Sequence, residues 1–509
     1  MITFQDALSR LLCPTAGRAD FAPRPAIIQA RAADGSMPDR AVTYGQLEEL
    51  VGRAQAGLTE AGVREGDTVL LCAPNSPELV AAILSTWRLG AVALPVDFRL
   101  TGAEVDNLVA RLEPRAVVSV EPISQRAVTV RLGALPEAPA GFDGRGLDRV
   151  SQDGLALVIL TSGTTGVPKG AVHDLGSLIN NVSELAATFG LRADDRAFLP
   201  LPTSHIFGMA VLLAQLLTGG CIVLSDFHPA DFWNTVTRLK VTMVVGVPTI
   251  YGALINLPSP PANEIPVQQY LSGGAPLPVS LAHEFEKRFT RRIVQGYGTT
   301  ETKILCFNKD GPPESVGRPL PSVVIEIVDQ NDEVVGEGDS GEIRIAGPSL
   351  MKGYLNQPEA SAQVLHRGHY HTGDIGYIRD GLLYISGRSK EMIIVAGNKV
   401  FPSEVETVLR QHPLAHEVAV LGVPHRKLGQ LVKAVIVVKS GELCDLLCGD
   451  EAMKKQAKEE LNARFREFCQ QHLKRELRPM EWEFRPISCP LPKTLTGKID
   501  KKQLEATPA

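Results

Sequence analysis

The sequence is short of the features that mark a specialised class of protein. In 509 residues it has only eight cysteines, aromatic residues make up 5%, and 52 Lys and Arg face 57 Asp and Glu, for a formal net charge of -5. Such a balance provides no general attraction for a polyanion. We therefore expect no nucleic-acid partner, and any anion must be bound by a local site.

Paired cysteines and long apolar runs are also scarce. Only Cys444 and Cys448 lie close together, at helical spacing and without a neighbouring histidine, which favours two reduced thiols over a disulfide or a metal site. No segment approaches the roughly 18 apolar residues of a membrane span. The chain begins with an acid, Asp6, where a secretory signal has basic charge. These absences predict a protein without a membrane span and a cytoplasmic location.

Hydrophobic spacing in the first half predicts alternating strands and helices. Thr43 and Gln46 form a capping box, which predicts a helix from residue 44 to about 61 that ends at Gly62. A second helical stretch covers residues 77–89. Apolar runs of strand length stand at 68–73, 91–96, 156–160, 221–224 and 242–247. Strands that alternate with helices favour a parallel sheet.

Past residue 320 the pattern changes to shorter strands separated by turns. Two such strands are expected at 323–328 and 342–345, and they predict a small antiparallel barrel. From residue 388 another α/β segment follows, with a helix and two strands expected at 403–411, 417–423 and 432–438.

A chain of this length exceeds what one hydrophobic core organises. We therefore predict an α/β protein with two domains. A large N-terminal domain (1–387) would contain packed mixed sheets plus the small β-barrel, and a smaller, mobile α+β domain (388–509) would follow it.

A loop dense in hydroxyl groups and glycines follows Leu160. It reads Thr-Ser-Gly-Thr-Thr-Gly-Val-Pro-Lys-Gly over residues 161–170. Glycine lets backbone N–H groups turn toward an anion, hydroxyls donate hydrogen bonds and a lysine adds charge, so the loop predicts a phosphate site. Pro168 and Gly170 flank the lysine and exclude a Walker A loop; a surface turn is the alternative. The candidate ligands are Thr161, Ser162, Gly163, Thr164, Thr165 and Lys169.

Four further motifs follow this loop in order. They are Gln295-Gly296-Tyr297-Gly298-Thr299-Thr300-Glu301, Tyr370-His371-Thr372-Gly373-Asp374, Gly387-Arg388-Ser389-Lys390 and Pro492-Lys493-Thr494-Leu495-Thr496-Gly497-Lys498. With the loop, they resemble the ordered motifs of the AMP-binding superfamily, which includes acyl-CoA synthetases, peptide-synthetase adenylation domains and luciferases. The resemblance spans most of the chain. It implies a reaction in which a carboxylate attacks the α-phosphorus of ATP and magnesium pyrophosphate leaves.

The resemblance assigns a nucleotide site to the second and third motifs. Tyr297 stacks on adenine, Thr300 donates to the α-phosphate, and Glu301 holds magnesium, a hard cation that prefers carboxylate oxygen. Asp374 accepts both ribose hydroxyls and Arg388 also reaches the ribose. Taken singly, Glu301 would more often be a solvated acid, and Thr-Gly-Asp a turn. The other cofactor-binding positions carried over are Gln295, Gly296, Gly298 and Thr299.

Lys498 carries the chemistry in this resemblance. Two negatively charged reactants must meet, and a cation over the carboxylate and the α-phosphate stabilises the charge that develops. Read alone, Lys498 is a solvated lysine in a basic tail with Lys493, Lys501 and Lys502. Lys169 then becomes the holder of the leaving β- and γ-phosphates.

The family uses one site for two steps by rotating its small domain, and Lys390 occupies the hinge position. The rotation would withdraw Lys498 and bring residues 395–399 to the site. Gly397 matches a position where the absence of a side chain leaves room for the pantetheine arm, although a glycine in a turn is common. Lys399 would contact phosphate in the second state or steady the first.

Two motifs concern the acid. Residues 202–208 resemble the acyl-pocket motif of acyl-CoA synthetases, in which Ile206 and Phe207 cannot pair with an α-ammonium group, so an α-amino acid is disfavoured. His205 gates or lines the pocket, or is a satisfied core histidine. The segment 272–276 resembles the strand-loop that forms the other wall and contacts adenine. Its assigned residues are Gly273, Gly274 and Ala275.

The sequence therefore predicts an ATP-dependent acid–thiol ligase, an acyl-CoA synthetase that forms acyl-AMP and then an acyl-CoA thioester. The expected cofactors are ATP, magnesium and CoA, and the substrate is a small-molecule carboxylic acid of fatty acid or aromatic acid metabolism, with its chain length left open. One alternative is a stand-alone enzyme that loads an acyl group onto a carrier protein; another is a non-catalytic nucleotide-binding relative. The predicted catalytic residues are Lys498, Thr300, Glu301 and His205.

Overall fold

The computed structural model describes residues 3–13, 15, 18–31, 38–138, 150–161, 168–493 and 499–506. The chain divides into two compact units. The first comprises Met1–Leu277, Leu281–Ile325 and Arg344–His371, and the second comprises Pro278–Ser280, Glu326–Ile343 and Thr372–Ala509. The border of a mobile domain at residues 387/388 stays a prediction.

Helices are distributed along the whole described chain. None of those in the described residues combines the length and apolar character needed to cross a bilayer. They are α1 (Phe4–Leu12), α2 (Tyr44–Glu60), α3 (Pro77–Arg88), α4 (Gly102–Leu112), α5 (Leu175–Phe189), α6 (Ile206–Thr218), α7 (Phe232–Arg238), α8 (Pro248–Asn256), α9 (Val279–Phe289), α10 (Pro358–Ala362), α11 (Pro402–Leu409), α12 (Glu442–Leu447), α13 (Glu451–His472) and α14 (Lys501–Ala506).

The strands of the described residues form four sheets. They are β1 (Pro25–Gln29), β2 (Arg40–Thr43), β3 (Thr68–Cys72), β4 (Val92–Pro95), β5 (Ala116–Ser119), β6 (Val128–Arg131), β7 (Leu155–Thr161), β8 (Lys169–Asp174), β9 (Arg196–Leu199), β10 (Cys221–Leu224), β11 (Met243–Gly246), β12 (Gln269–Ser272), β13 (Ile293–Thr299), β14 (Lys303–Asn308), β15 (Arg318–Pro319), β16 (Val324–Val328), β17 (Gly341–Ala346), β18 (Gly353–Tyr354), β19 (Leu365–His366), β20 (His369–Arg379), β21 (Leu382–Arg388), β22 (Ile393–Val395), β23 (Asn398–Val400), β24 (Ala415–His425), β25 (Gly429–Val438) and β26 (Glu481–Arg485).

Local sequence explains where α2 begins and ends. The N–H of Gln46 donates to Thr43 Oγ1 at 3.2 Å, and the Thr43 N–H donates to Gln46 Oε1 at 2.9 Å. These bonds satisfy two backbone donors that the helix itself leaves without partners. Gly62 follows the helix with φ +77°, a conformation that glycine adopts without strain. The predicted capping box and helix are confirmed.

The first unit contains a sheet of order β15-β14-β13-β12-β11-β9-β10-β1-β2. Its strands from β13 to β1 run parallel, and both edges carry antiparallel neighbours. A cluster of buried rings belongs to its core, with Phe198 edge-on to Phe232, and Phe285 edge-on to Tyr251 and Tyr270. The strands are buried, which explains their nearly continuous apolar sequences.

A second sheet of the first unit has the order β18-β8-β7-β4-β3-β5-β6. Strands β3 and β4 run parallel, with Thr68 opposite Val92, and α3 connects them as the sequence predicts. The later apolar runs are divided between the sheets, because β7 belongs to this one whereas β10 and β11 belong to the first.

The predicted small barrel is corrected by the structure. Residues 324–388, all of them described, contribute an open sheet of order β16-β17-β20-β19, with β21 paired to β20. A barrel closes only when its two edge strands pair with each other. Strands β19 and β21 both pair with β20, and neither pairs with β16 in this described segment, so the sheet stays open. Turn signals predict short strands correctly, but they leave the pairing of edges undetermined.

In the second unit, a sheet has the order β23-β22-β25-β24, and β26 adds to β25 in parallel. Strands β24 and β25 pair from Ala415 opposite Val438 to His425 opposite Gly429. Buried residues of α11, α13 and the sheet, among them Phe465, form one core. The predicted helix and two strands of this segment are confirmed as α11, β24 and β25.

Candidate active site

The candidate phosphate loop connects two antiparallel strands. Thr161 ends β7, Lys169 begins β8, and the two residues stand opposite each other in the ladder. The predicted ligands Ser162, Gly163, Thr164 and Thr165 lie outside the described residues. A Walker loop opens a helix, whose N-terminus assists phosphate binding. Here the described chain instead continues into strand β8, so no helix N-terminus follows Lys169 directly.

The motif at residues 295–301 runs from strand β13 into a tight turn. The Thr302 N–H donates to the Thr299 carbonyl at 3.2 Å, and the Thr299 N–H donates to Thr302 Oγ1 at 3.2 Å. A Cβ at Gly298 would lie 2.1 Å from the carbonyl oxygen of Lys303. Only glycine therefore allows β14 to fold back so closely. Thr300 and Glu301 form the tip of this turn.

The carboxylate of Glu301 is held by a phenol. Tyr354 Oη donates to Glu301 Oε1 at 2.7 Å. Burial and the charge of Glu301 raise the pKa of Tyr354, so the phenol remains a donor. Lys169 Nζ lies 4.9 Å from the centroid of the same ring. The first unit thus places the lysine of the candidate phosphate loop, an aromatic ring and a carboxylate side by side.

The backbone carbonyls of the turn accept hydrogen bonds from two neighbouring segments of the chain. The Met351 N–H donates to the Glu301 carbonyl at 2.7 Å, and His173 Nε2 lies 2.8 Å from the Thr300 carbonyl oxygen. A carbonyl only accepts hydrogen bonds, so His173 carries a proton on Nε2. Both central peptide groups of the turn are therefore positioned by neighbouring segments.

The candidate adenine wall lies at the carboxyl ends of β12 and β13. These strands are parallel neighbours, with Ser272 opposite Gln295. In open α/β sheets, ligands bind at this end of the strands. Gly274 has φ +78°, which favours glycine at this bend. The structure brings together two sets of predicted residues here: Gly273, Gly274 and Ala275, and Gln295, Gly296 and Tyr297.

The two acyl-pocket motifs also meet. His205 is half-buried immediately before α6, and Ile206 and Phe207 are each 5% exposed. A Cβ at Gly273 would lie 2.9 Å from the Phe207 ring, so the ring packs directly on this glycine. The apolar start of α6 therefore faces the loop that follows β12.

Comparison with known proteins agrees with this geometry. Residues 18–355 match the AMP-binding enzyme family, and residues 404–498 match the AMP-binding enzyme C-terminal domain. The chain belongs to the AMP-binding enzyme family.

Three relatives of this AMP-binding enzyme are informative. A feruloyl-CoA synthase of Amycolatopsis sp is 35% identical over 427 residues, which are 81% of this chain and 86% of that protein. A long-chain-fatty-acid–CoA ligase, FadD13, of Mycobacterium tuberculosis is 30% identical over 80% of this chain and 85% of its own. The crystal structure of ATP-bound MatB from Rhodopseudomonas palustris has a TM-score of 0.84 and 28% identity, and 98% of each chain is covered.

The candidate ribose residues of this AMP-binding enzyme lie in its second unit. Asp374 on β20 and Arg388 on β21 stand opposite each other, and Arg388 Nε donates to Asp374 Oδ1 at 3.1 Å. Asp374 is 4% exposed, whereas the Arg388 side chain is 56% exposed. The Asp374 N–H also donates to Thr372 Oγ1 at 3.0 Å. The carboxylate is thus oriented by a partner whose own side chain reaches solvent.

The candidate hinge and tunnel residues belong to the same unit. Lys390 is exposed in a short 3-10 turn, Ser389–Glu391. Ala396 (φ +48°) and Gly397 (φ +86°) form the two-residue turn between β22 and β23, as in a type I′ hairpin. A Cβ at Gly397 would meet nothing within 4 Å, so the backbone conformation is the local reason for glycine. Lys399 is exposed on β23.

Lys498 lies outside the described residues, but the chain on either side of it is anchored. Lys493 and Ile499 form an antiparallel bridge. Lys493 Nζ lies 2.6 Å from Glu417 Oε1, and the Leu491 N–H donates to Glu417 Oε2 at 2.9 Å. The segment that carries Lys498 therefore starts and ends next to strand β24.

Sequence reasoning missed the residues that hold the turn at Thr300 and Glu301. Tyr354 lies more than 50 positions away in a two-residue strand, and nothing in its neighbourhood distinguishes it. Lys303 did carry a signal, because a charged residue opens the apolar run of β14 and is 0% exposed. His173 carried a similar signal among the apolar residues of β8, where it is also 0% exposed. Buried ionisable residues beside a recognised motif are candidates for a functional role.

Proposed function

We propose that this chain is an ATP-dependent acid–CoA ligase. In the first step an oxygen of the substrate carboxylate bonds to the α-phosphorus of ATP, and the bond from that phosphorus to its bridging oxygen breaks, so pyrophosphate leaves. In the second step the CoA sulfur bonds to the acyl carbon, the bond from that carbon to the AMP oxygen breaks, and the thiol proton passes to solvent. The products are acyl-CoA, AMP and pyrophosphate.

The observation that carries the proposal is the turn of Thr300 and Glu301. Both of its central carbonyls are fixed by neighbouring segments, so the backbone that carries the Thr300 hydroxyl is held in place to present this donor to an oxyanion. Lys169 beside Tyr354 supplies a positive charge suited to the leaving phosphates. Catalysis of this reaction needs positioning and charge stabilisation, and these residues offer both.

Glu301 fits the requirement of a magnesium ion. The Tyr354 hydroxyl donates to Glu301 Oε1. No described residue donates a hydrogen bond to Glu301 Oε2, so this hard oxygen ligand is available to the ion. Magnesium is commonly bound by one or two carboxylates together with substrate phosphates and water. When bound, it would neutralise charge on the leaving pyrophosphate.

The remaining residue roles complete the proposal. Tyr297 would stack on adenine beside Gly273, Gly274 and Ala275, and Asp374 with Arg388 would hold the ribose. Lys498 would stabilise the charge that develops between the carboxylate and the α-phosphate. We further propose that the domain beginning at residue 388 rotates about Lys390 between the two steps, that Gly397 and Lys399 then serve CoA, and that the protein is cytoplasmic.

The acid is proposed to lack an α-ammonium group. Ile206 and Phe207 are buried and apolar at the start of α6, and neither can pair with a charge. One relative is named a feruloyl-CoA synthase and another a long-chain-fatty-acid–CoA ligase. Both aromatic and aliphatic carboxylic acids therefore belong in the test.

The test is a panel of carboxylic acids scored for pyrophosphate release by the full-length chain. Matched pairs such as 3-phenylpropanoate and phenylalanine, or hexanoate and norleucine, differ only in the α-amino group. We expect at least one amine-free acid to release pyrophosphate, and its α-amino counterpart to react about 100-fold more slowly or not at all. If no acid releases pyrophosphate, the ligase proposal is wrong.

The acceptor is determined with the best acid of the panel. Reactions contain CoA, no acceptor, or a holo carrier protein, and the thioester is identified by mass spectrometry. We expect turnover with CoA. Turnover with the carrier protein alone would replace the CoA ligase with the alternative of a carrier-loading enzyme.

A further inference from the structure

A buried lysine lies directly behind the turn of Thr300 and Glu301. Lys303 begins β14 two residues after Glu301, has φ +62°, and is 0% exposed. None of the roles assigned above uses it. A lysine is almost never fully buried without dedicated partners, so its surroundings need an explanation.

All three donors of the Lys303 ammonium group have acceptors. Nζ lies 3.1 Å from His173 Nδ1, 3.1 Å from Ser177 Oγ and 2.8 Å from the Ser349 carbonyl oxygen. None of these acceptors is a carboxylate. The charges that act on Lys303 are the favourable Asp174 and the unfavourable Lys352, and these two pair with each other at 3.2 Å.

The bond from Lys303 determines the state of His173. Nδ1 accepts from the ammonium group, so it carries no proton, and Nε2 must then carry the proton that is donated to the Thr300 carbonyl. Burial and the positive charge of Lys303 lower the pKa of His173 well below its ordinary value, so the ring is neutral. One lysine therefore selects the tautomer and fixes the ring that holds the turn.

We propose that Lys303 and His173 are positioning residues, which fix the peptide of Thr300 and thereby place Thr300 Oγ1 and the Glu301 carboxylate for the adenylation step. This inference rests on the proposed function. In this proposal neither Lys303 nor His173 touches the reactants, because both act through the Thr300 carbonyl.

The energetic cost of the arrangement supports a role beyond packing. The Lys303 ammonium group is 0% exposed and its three acceptors are uncharged, so it loses water without gaining a directly paired carboxylate, which costs free energy. An apolar side chain of similar length would fill the same space without that cost. The lysine brings a directed donor to His173, which an apolar side chain lacks.

Two sets of variants test the proposal in the full-length chain. Lys303→Met keeps the length of the side chain and removes the donor. His173→Gln keeps an acceptor for Lys303 and a donor for Thr300, because the two amide heteroatoms can replace the two ring nitrogens, whereas His173→Leu removes both. Lys433→Met is the matched control: Lys433 is another buried lysine, in strand β25, with Nζ 2.9 Å from Glu483 Oε2.

The first measurement is amide hydrogen exchange of the protein without ligands. In Lys303→Met and His173→Leu we expect the amides of Thr302 and Met351 to exchange about 10-fold faster than in the natural protein, because the turn opens more often. In His173→Gln and Lys433→Met, the exchange rates of these two amides should stay within about twofold of those in the natural protein. Thermal unfolding of each variant verifies that it is folded under the assay conditions.

The second measurement is pyrophosphate release with the best acid. We expect Lys303→Met and His173→Leu to lower kcat about 10- to 100-fold, to change KM for the acid less than threefold, and to require several times more magnesium for half-maximal rate. His173→Gln should recover most of kcat. Loss of stability alone would lower the amount of active enzyme and leave the magnesium requirement unchanged.

The outcomes separate the two proposals. If the natural protein activates no acid, the ligase function fails, whereas the exchange data still report on the turn. If it is active and Lys303→Met retains its kcat, magnesium requirement and exchange rates, the positioning role is wrong. If Lys303→Met does not fold, the comparison of His173→Gln with His173→Leu tests the positioning role instead. Equal activity of these two variants overturns the proposal.

Discussion

At the scale of single residues, the carboxylate of Glu301 shows how a motif residue acquires a defined position. A half-buried glutamate has several rotamers, and a metal ligand must adopt one of them before the substrate arrives. The Tyr354 phenol fixes Oε1 at 2.7 Å, while the Met351 N–H fixes the carbonyl of the same residue at 2.7 Å. Glu301 is therefore held at both its side chain and its backbone.

Tyr354→Phe removes only the hydroxyl that holds Glu301. A hydrogen bond to a charged group contributes about 1.5–3 kcal/mol. We expect part of this free energy to lower the activation barrier of the adenylation step. We expect kcat for pyrophosphate release to fall about 5- to 30-fold, while thioester formation from supplied acyl-AMP changes less than threefold. The control is Tyr377→Phe, in strand β20 of the second unit. Equal effects of the two substitutions would contradict the assignment.

At the scale of secondary-structure elements, the hairpin of β22 and β23 places Gly397 at its tip. The left-handed backbone at φ +86° strains any side chain, whatever its size. The surrounding space is open within 4 Å of a Cβ. Strain and size can therefore be separated by comparing two substitutions at this position.

Gly397→Ala and Gly397→Leu share the backbone strain and differ in bulk. If Gly397 leaves room for the pantetheine arm, we expect Gly397→Leu to slow thioester formation about 10-fold or more relative to Gly397→Ala, with similar pyrophosphate release for both. The two half-reactions are measured separately, the second from supplied acyl-AMP. Equal thioester rates for the two variants would exclude the tunnel role.

Strand β24 anchors the segment that precedes Lys498 through Glu417. Burial alone would raise the pKa of Glu417, but the charge of Lys493 and the Leu491 N–H outweigh it, so the pKa lies below its ordinary 4.5. The folded protein then binds fewer protons than the unfolded chain in this range. The stabilisation is consequently present above pH 4.5 and is lost as the pH falls through the folded-state pKa.

Glu417→Gln should lower the free energy of unfolding by about 1–2 kcal/mol at pH 7. The difference from the natural protein should shrink as the pH falls below about 4.5, because protonation then removes from the natural protein the charge that the substitution removes. Urea unfolding of both proteins at several pH values measures this difference in the free energy of unfolding. Glu467→Gln, at an exposed position of α13, is the control. A loss of stability in Glu417→Gln that is independent of pH would show that the Glu417 carboxylate does not stabilise the fold through its charge.

At the scale of the whole molecule, the proposed reaction needs different residues in its two steps. The turn of Thr300 and Glu301 belongs to the first unit, and the segment of Lys498 is anchored in the second. A cation that acts on the α-phosphate is needed only while the adenylate forms. Its removal should therefore affect one half-reaction.

Lys498→Ala is expected to lower pyrophosphate release by at least about 100-fold, while thioester formation from supplied acyl-AMP stays within about threefold of the natural rate. Lys502→Ala removes a neighbouring charge of the same tail and is the matched control. Equal loss of both half-reactions in Lys498→Ala would contradict the assignment of separate steps.

Short-range patterns in the sequence determined much of this protein. The capping box at Thr43 and Gln46, the apolar runs of β3 and β4, and the helix and strands after residue 400 all follow from local hydrogen bonding and side-chain spacing. The ordered motifs determined the family and the reaction class, because the chemistry of ATP and a carboxylate restricts which residue types can serve. Each of these patterns lies within a few adjacent positions, and the order of the motifs is read directly along the chain.

Only the tertiary structure decided how distant segments combine. The open third sheet replaced the predicted barrel because the pairing of strands that are distant in sequence depends on the tertiary fold, which no local pattern specifies. The contacts of Tyr354 with Glu301, and of Lys303 with His173, join positions 53 and 130 residues apart. Such contacts depend on the packing of β8, β14 and β18, and the sequence alone could therefore identify Glu301 without the residues that hold it in place.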